Sequence, residues 1–204
     1  CLARLSHLLC DEPTKQLCLV GITGTNGKTT TAGLIESIWL SAGIPSGLLS
    51  TVGYRWKEFS KEAPRTTPES WDLQKMFRSM VQEGVKHCVM EVTSHAIDLK
   101  RVVGCHFDGA VFTNLSEDHL DYHQTMERYF ACKAKFFRER LVVSEKKSIW
   151  AVLNWDDPYA KTLASGLPAK IWRYSTQEES GVEITLRRVS LGWQCMTMEI
   201  HTPL

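Results

Sequence analysis

The sequence predicts an α/β domain: a P-loop-type, mostly parallel sheet flanked by helices, with antiparallel strands at its C-terminal end. Three observations predict it. Short apolar runs alternate with longer stretches of helical spacing, the pattern of strands joined by crossover helices. A glycine-rich stretch, GITGTNGKTTT over 21–31, lies between one such run and one such helix. The last segment changes period, because VEITLRRVS and WQCMTMEIH alternate apolar and polar residues around LG.

In chain order, strand-like runs fall at 16–22, 87–92, 108–113, 148–153 and 170–174. Helix-like stretches fall at 28–42, 68–84, 125–140 and 157–164. In the first helix Leu34, Ile35, Ile38 and Trp39 recur at helical spacing, and Gly43 is its stop. Pro68 and Glu69 open the second, as an N-terminal turn prefers. In the third, Tyr129, Phe130, Phe136 and Phe137 are expected to face the core. Loops are expected at 57–67, 93–107 and 115–124. The closing alternation reads as an antiparallel pair at the sheet edge or as a small second sheet. Repeats and low-complexity segments are absent from the sequence.

Composition narrows the classes. At 204 residues, 43% of them apolar, the chain can bury the core of one domain or slightly more. A net charge of +1 argues against a nucleic-acid or membrane-surface partner. No apolar run reaches bilayer length, and no charged-then-apolar leader opens the chain. The seven cysteines, at 1, 10, 18, 88, 105, 132 and 195, form no C-x-x-C pair. They are expected to be free thiols in a reducing cytoplasm rather than disulfides or a zinc site. The chain opens inside the amphipathic stretch CLARLSHLLC and stops at HTPL, which is expected of a piece of a longer protein.

The glycine-rich stretch carries the chemistry. The common phosphate pattern G-x-x-x-x-G-K-[ST] needs a glycine where Ile22 stands; Gly21 is one place early, and Gly24 is extra. Gly21, Gly24 and Gly27 let the backbone turn tightly and aim its N–H groups at an anion. The helix N-terminus adds partial positive charge there. Lys28 can reach terminal phosphates, and the Thr29 or Thr30 hydroxyl can hold Mg²⁺.

Three further segments lie where strands end, the place where open α/β sheets bind ligands. HCVMEVTSHA brings Glu91 out of an apolar run, where a carboxylate needs a partner. On the residues alone, Glu91 is equally a ligand for Mg²⁺ and a carboxylate at the sheet edge. GAVFTNLSEDHLDYH ends a strand at Thr113 and Asn114 and continues into Glu117, Asp118, His119, Asp121 and His123. That cluster suits a metal, and as a solitary loop it reads better as a solvated polar turn. In ERYFACKAKFFRER, Lys133 and Lys135 read by composition as surface residues.

Together LVGITGTNGKTTT, TTPES, MEVTSHAI, VFTNLSEDHLDYH and YFACKAKFF, in this order, resemble the Mur ligases, the ATP-dependent amide-forming enzymes of peptidoglycan synthesis. The resemblance is to the branch that adds a diamino acid, meso-diaminopimelate or L-lysine, to a UDP-MurNAc-dipeptide. It implies ATP and Mg²⁺ as cofactors, a monomer, and the bacterial cytoplasm. It implies that Gly24, Thr25, Asn26, Gly27, Lys28, Thr29 and Thr30 hold the ATP phosphates and Mg²⁺. Thr29 and Glu91 would ligate Mg²⁺, His119 would ligate a second Mg²⁺, and Lys133, as a carbamate, would be an anionic oxygen ligand beside the metal. Thr66, Thr67, Thr93 and Arg101 match residues that bind the muramyl substrate, whereas Arg65 and Leu99 depart from the family pattern of Asn and Gln. Asn154, Asp156 and Asp157 resemble an N-x-D-D turn, read as a helix cap first and as near the nucleotide second. Residues 1–14 would be a linker from an N-terminal UDP-binding domain, and 15–204 a central ATP-binding domain incomplete at its C-terminal end. A C-terminal domain would select the amine, and this part of the chain would be inactive alone. Two rivals remain: a folylpolyglutamate synthetase-like ligase, against which HLDYH and TTPES argue, and a non-ligating P-loop nucleotide-binding module.

Overall fold

The computed structural model describes residues 2–177, 181–191 and 196–203. The strands are β1 (Cys18–Thr23), β2 (Ser46–Ser50), β3 (Gly53–Trp56), β4 (Phe59–Lys61), β5 (His87–Glu91), β6 (Gly109–Phe112), β7 (Trp150–Asn154), β8 (Lys170–Ser175), β9 (Ile184–Leu191) and β10 (Met196–His201). The helices are α1 (Leu2–Leu9), α2 (Lys28–Ser41), α3 (Ser70–Gln82), α4 (Ser94–Asp98), α5 (Leu120–His123), α6 (Met126–Lys135) and α7 (Pro158–Ala164). A 3-10 turn at Pro13–Lys15 follows α1, and a π-helical turn at Phe136–Leu141 follows α6.

All ten strands join one sheet in the order β10-β9-β8-β7-β6-β1-β5-β2-β3-β4. Pairing is parallel from β2 through β5, β1, β6, β7 and β8 to β9. Antiparallel partners close both edges, β3 and β4 at one and β10 at the other. The terminal alternation therefore makes an edge of the main sheet and not a second sheet. Residues 192–195 of that predicted pair lie outside the described residues. From β1 the chain crosses by α2 toward β2 and β5, and β6 enters on β1's other side. That reversal is a topological switch point, and the phosphate stretch sits on it.

Both faces of the parallel strands are apolar, as burial on two sides requires. On one face Leu19, Met90, Phe112 and Leu153 pack with Phe77, Ile97, Tyr129, Phe136 and Phe137. On the other, Val20, Ile22, Leu48, Val89 and Val111 pack with Ala32, and Ile35 and Trp39 of α2 rest on them. Only half of the expected α2 stripe is used, since Leu34 and Ile38 are 60% and 66% exposed. Tyr129, Phe136 and Phe137 are buried and Phe130 partly so, as the spacing predicts.

Three departures matter. The hairpin β2–β3 and the short β4 carry no clear alternation in sequence, and β4 falls inside the loop expected at 57–67. The loops expected at 93–107 and 115–124 contain α4 and α5. Lys133 is no surface residue: it is 2% exposed. It belongs to the inward stripe Tyr129, Cys132, Lys133 and Phe136, at i, i+3, i+4 and i+7. Among the described residues all five cysteines are free, and Cys1 and Cys195 lie outside them. No helix of the described residues is long and apolar enough to cross a membrane.

Candidate active site

The carboxyl ends of β1, β5, β6 and β7 bring four loops together. The first is the phosphate stretch. Gly24 has φ 149°, and a Cβ there would lie 1.9 Å from Thr113 Oγ1. Gly27 has φ 82° and leaves open space where its Cβ would be. The first glycine thus lets the loop lie against β6, and the second keeps its outer side clear. Gly24→Ala is expected to weaken Mg·ADP binding more than tenfold and to cost about 1–3 kcal/mol of stability. Calorimetric titration and urea unfolding of the full-length protein check this; unchanged values in both would refute the close-approach argument.

The segment after β6 braces the loop. Thr25 N–H donates to Asn114 O at 2.9 Å, and Asn26 N–H to Asn114 Oδ1 at 2.9 Å. Thr113 Oγ1 donates to Asn26 O at 2.7 Å, and Ser116 N–H to Thr25 Oγ1 at 3.0 Å. The turn after β7 holds this brace in place. Asn154 Nδ2 donates to Thr113 O at 2.7 Å, and Asp157 accepts from Leu115 N–H at 2.6 Å while capping α7 through Tyr159 N–H. Asn154 and Asp157 therefore act through a cap and a brace. The helix-capping turn read from the sequence is there, with Asp157 as the cap of α7, whereas the brace on the segment after β6 carried no sequence signal.

Lys28 folds back on its own loop, donating to Gly24 O at 3.0 Å and Thr25 O at 2.8 Å. Burial lowers its pKa, and the Glu91 and Asp118 charges oppose that. Thr29 Oγ1 donates to Glu91 Oε1 at 2.9 Å, whereas Thr30 is exposed. Glu91, 1% exposed, thus has the partner its burial demands. Ser50 Oγ and Thr51 N–H donate to the same oxygen at 2.6 and 2.9 Å. No sequence signal marked Ser50 or Thr51, because their strand was itself unmarked.

Lys133 reaches the same carbonyl as Lys28: its Nζ donates to Gly24 O at 2.9 Å. It also lies 4.5 Å from the centre of the Tyr129 ring. Burial, then the Lys28 charge, pulls its pKa down to about 7. Tyr129 OH in turn lies 3.4 Å from Thr25 Oγ1. His119 is exposed at the start of α5 with φ 52°, and its Nε2 lies 3.6 Å from Asp118 Oδ2. Its ring meets His95 edge-on at 5.1 Å and Tyr129 at 6.0 Å. Burial lowers the pKa of His95 and of His123.

The residues matched to the muramyl substrate gather beside Glu91, with different exposures. Thr67 is buried and donates to the Glu91 backbone O at 2.9 Å. Thr93 Oγ1 lies 3.3 Å from Thr67 Oγ1 and caps α4 by accepting from Ala96 N–H at 3.2 Å. Arg101 donates to Thr67 O at 3.2 Å and pairs with Glu69 at 2.8 Å. Its Nε is buried without a partner among the described residues. Thr66 lies outermost, 3.0 Å from Thr51 Oγ1.

The arrangement fits a magnesium nucleotide: an open glycine cradle, a cation, and a hydroxyl beside a buried carboxylate on one strand end. No group of three or more His, Cys, Asp or Glu placed to hold a metal occurs among the described residues. A metal here would therefore draw on the Thr29 hydroxyl or a modified lysine as well.

The pattern of the Mur ligase middle domain matches residues 22–203. The chain belongs to the Mur ligase family. Over 204 residues it is 48% identical to the UDP-N-acetylmuramoyl-L-alanyl-D-glutamate–2,6-diaminopimelate ligase of Geobacter metallireducens, covering 100% of this chain and 40% of that protein. The Bacillus licheniformis protein of the same name is 43% identical, with 99% and 41% covered. A solved ligase structure of that name superposes with a TM-score of 0.83 at 27% identity, covering 98% of this chain and 41% of the other. A Mycobacterium tuberculosis folylpolyglutamate synthase bound to ADP superposes with a TM-score of 0.75 at 15% identity, over 97% and 50%. That second likeness shows the shared fold alone. This Mur ligase chain spans about two fifths of the length of the curated relatives it matches.

Proposed function

We propose that the full-length protein is an ATP-dependent ligase of bacterial cytoplasmic peptidoglycan synthesis. It joins 2,6-diaminopimelate to UDP-N-acetylmuramoyl-L-alanyl-D-glutamate through an acyl phosphate. Residues 15–204 form its central nucleotide domain, and 1–14 lead into it from the preceding domain. The observation that carries the nucleotide reading is the Thr29–Glu91 hydrogen bond of 2.9 Å at the mouth of the phosphate loop. The choice of acceptor and amine rests on the relatives' names.

The loop N–H groups and Lys28 would bind the ATP phosphates and draw charge from the transferring phosphoryl oxygens. Two Mg²⁺ ions, one held by Thr29 and Glu91 and a second by His119, with Lys133 as its carbamate an anionic oxygen ligand beside the metal, would neutralise the remaining charge. Burial that pulls the Lys133 pKa down to about 7 enlarges its neutral fraction, and only a neutral amine attacks CO₂. Thr66, Thr93 and Arg101 would orient the muramyl dipeptide so that its carboxylate faces the γ-phosphate. Thr67, buried and committed to the Glu91 backbone, would hold that wall in place.

The full-length protein is expected to form ADP only with both the muramyl dipeptide and diaminopimelate present. Release of ADP without an acceptor would instead indicate a non-ligating nucleotide module. ADP formation with a folate and glutamate would favour the folylpolyglutamate reading. L-Lysine in place of diaminopimelate tests the amine.

A further inference from the structure

Ser50 ends β2 on the far side of β5 from the phosphate loop, with its side chain fully buried. Its hydroxyl donates at 2.6 Å to Glu91 Oε1, the oxygen that also accepts from Thr51 N–H at 2.9 Å and Thr29 Oγ1 at 2.9 Å. No hydrogen bond among the described residues ends on Glu91 Oε2. We propose that Ser50 is a positioning residue for Glu91: with Thr51 N–H it saturates Oε1 and so leaves Oε2 as the oxygen that faces the metal.

The geometry supports a role beyond packing. A carboxylate at a strand end can rotate about its side-chain torsions, and Thr29 alone ties it to the side of the glycine-rich loop. Ser50 and Thr51 approach from the opposite side, on a rigid strand and the turn after it. Between them the carboxylate plane is held from two sides. Such outer partners of a metal-holding carboxylate typically contribute ten- to a hundredfold in metal affinity. The hydroxyl has a second tie, since Val52 N–H donates to Ser50 Oγ at 3.4 Å. That leaves the hydroxyl proton for Glu91.

The inference rests on the proposed magnesium nucleotide site. Its test is Mn²⁺ binding to the ADP-saturated full-length protein, read by water proton relaxation, which reports Mn²⁺ held on the protein. Ser50→Ala is expected to weaken Mn²⁺ by about tenfold or more. ADP affinity in chelator is expected to stay near that of the unmodified protein, while the melting temperature of the metal-free protein falls, because a buried carboxylate loses one of its three donors. Ser50→Thr, which keeps the hydroxyl, is expected to restore Mn²⁺ affinity to within about threefold. If Ser50→Ala does not fold, a folded Ser50→Cys, with its weaker donor, is expected to show the same loss. Mn²⁺ affinity unchanged in Ser50→Ala, or lost equally in a folded Ser50→Thr, overturns the role of Ser50 alone. Absence of a protein-bound Mn²⁺·ADP signal in the unmodified protein overturns the metal reading and this inference with it.

Discussion

Lys28→Ala in the full-length protein is expected to lower ATP-dependent turnover by at least about 10²–10³-fold, the usual effect of removing a donor aimed at developing charge. The structure makes the effect specific. The Lys28 amine rests on Gly24 O and Thr25 O at 3.0 and 2.8 Å, at the mouth of the cradle. Its burial lowers its pKa, and the Glu91 and Asp118 charges oppose that shift. Phosphate would offer the amine a full negative charge in place of two carbonyls, so binding would draw it outward. Lys28→Arg is expected to fail nearly as badly, because a planar fork cannot replace a compact ammonium in so tight a turn. Single-turnover ADP formation and titration with a non-hydrolysable Mg·ATP analogue separate chemistry from binding. Turnover within tenfold of the unmodified protein, in a variant with normal unfolding, would sink the assignment of the loop.

Lys133→Met is expected to act in opposite directions on stability and activity. In protein free of metal and bicarbonate, the variant is expected to be more stable at pH 7 by on the order of 1–4 kcal/mol, as when a buried charge gives way to a packed apolar chain. Turnover is expected to fall to background, since neither a carbamate nor an amine remains. The pH dependence follows from the depressed pKa. Unfolded Lys133 titrates near 10.5 and folded Lys133 at about 7, so between these values the unfolded chain binds more protons. Stability of the unmodified protein therefore rises with pH through that window, at up to about 1.4 kcal/mol per pH unit for one group. Below pH 7 both states are charged and the full burial cost remains. The gap to Lys133→Met is thus widest near and below pH 7 and closes toward pH 10.5. Urea unfolding across this range measures it. Parallel pH profiles for the two proteins would show that Lys133 is not the buried titrating group.

How far the sequence could be read differs from element to element, and the reasons are physical. The strands at 87–92 and 108–113 stood out because burial on both faces demands unbroken apolar runs, and Cys88–Met90 and Ala110–Phe112 supply them. SGLLS gave no such signal: two of its five residues are serines and one is glycine, although every one is buried in β2. Its burial comes from neighbours β5 and β3, which no local pattern encodes. Lys133 was misread by composition for a related reason. Lysine is a surface residue on average, and only the packing of α6 turns this one under the phosphate loop, onto Gly24 O.

By itself the sequence determined the parallel α/β plan and the place of the glycine-rich stretch between a strand and a helix. Both depend on local rules: apolar runs, helical spacing, and glycines where the backbone must turn around an anion. Tertiary structure alone decided which groups meet. It placed Thr29 rather than Thr30 on Glu91 and turned Thr67 inward while leaving Thr66 outside. It also brought Ser50, 41 residues away in sequence, to the same carboxylate oxygen. Those contacts arise because β1, β2 and β5 run parallel in one sheet and end together. Residues distant along the chain then share one edge, and sequence spacing carries no record of that distance in space.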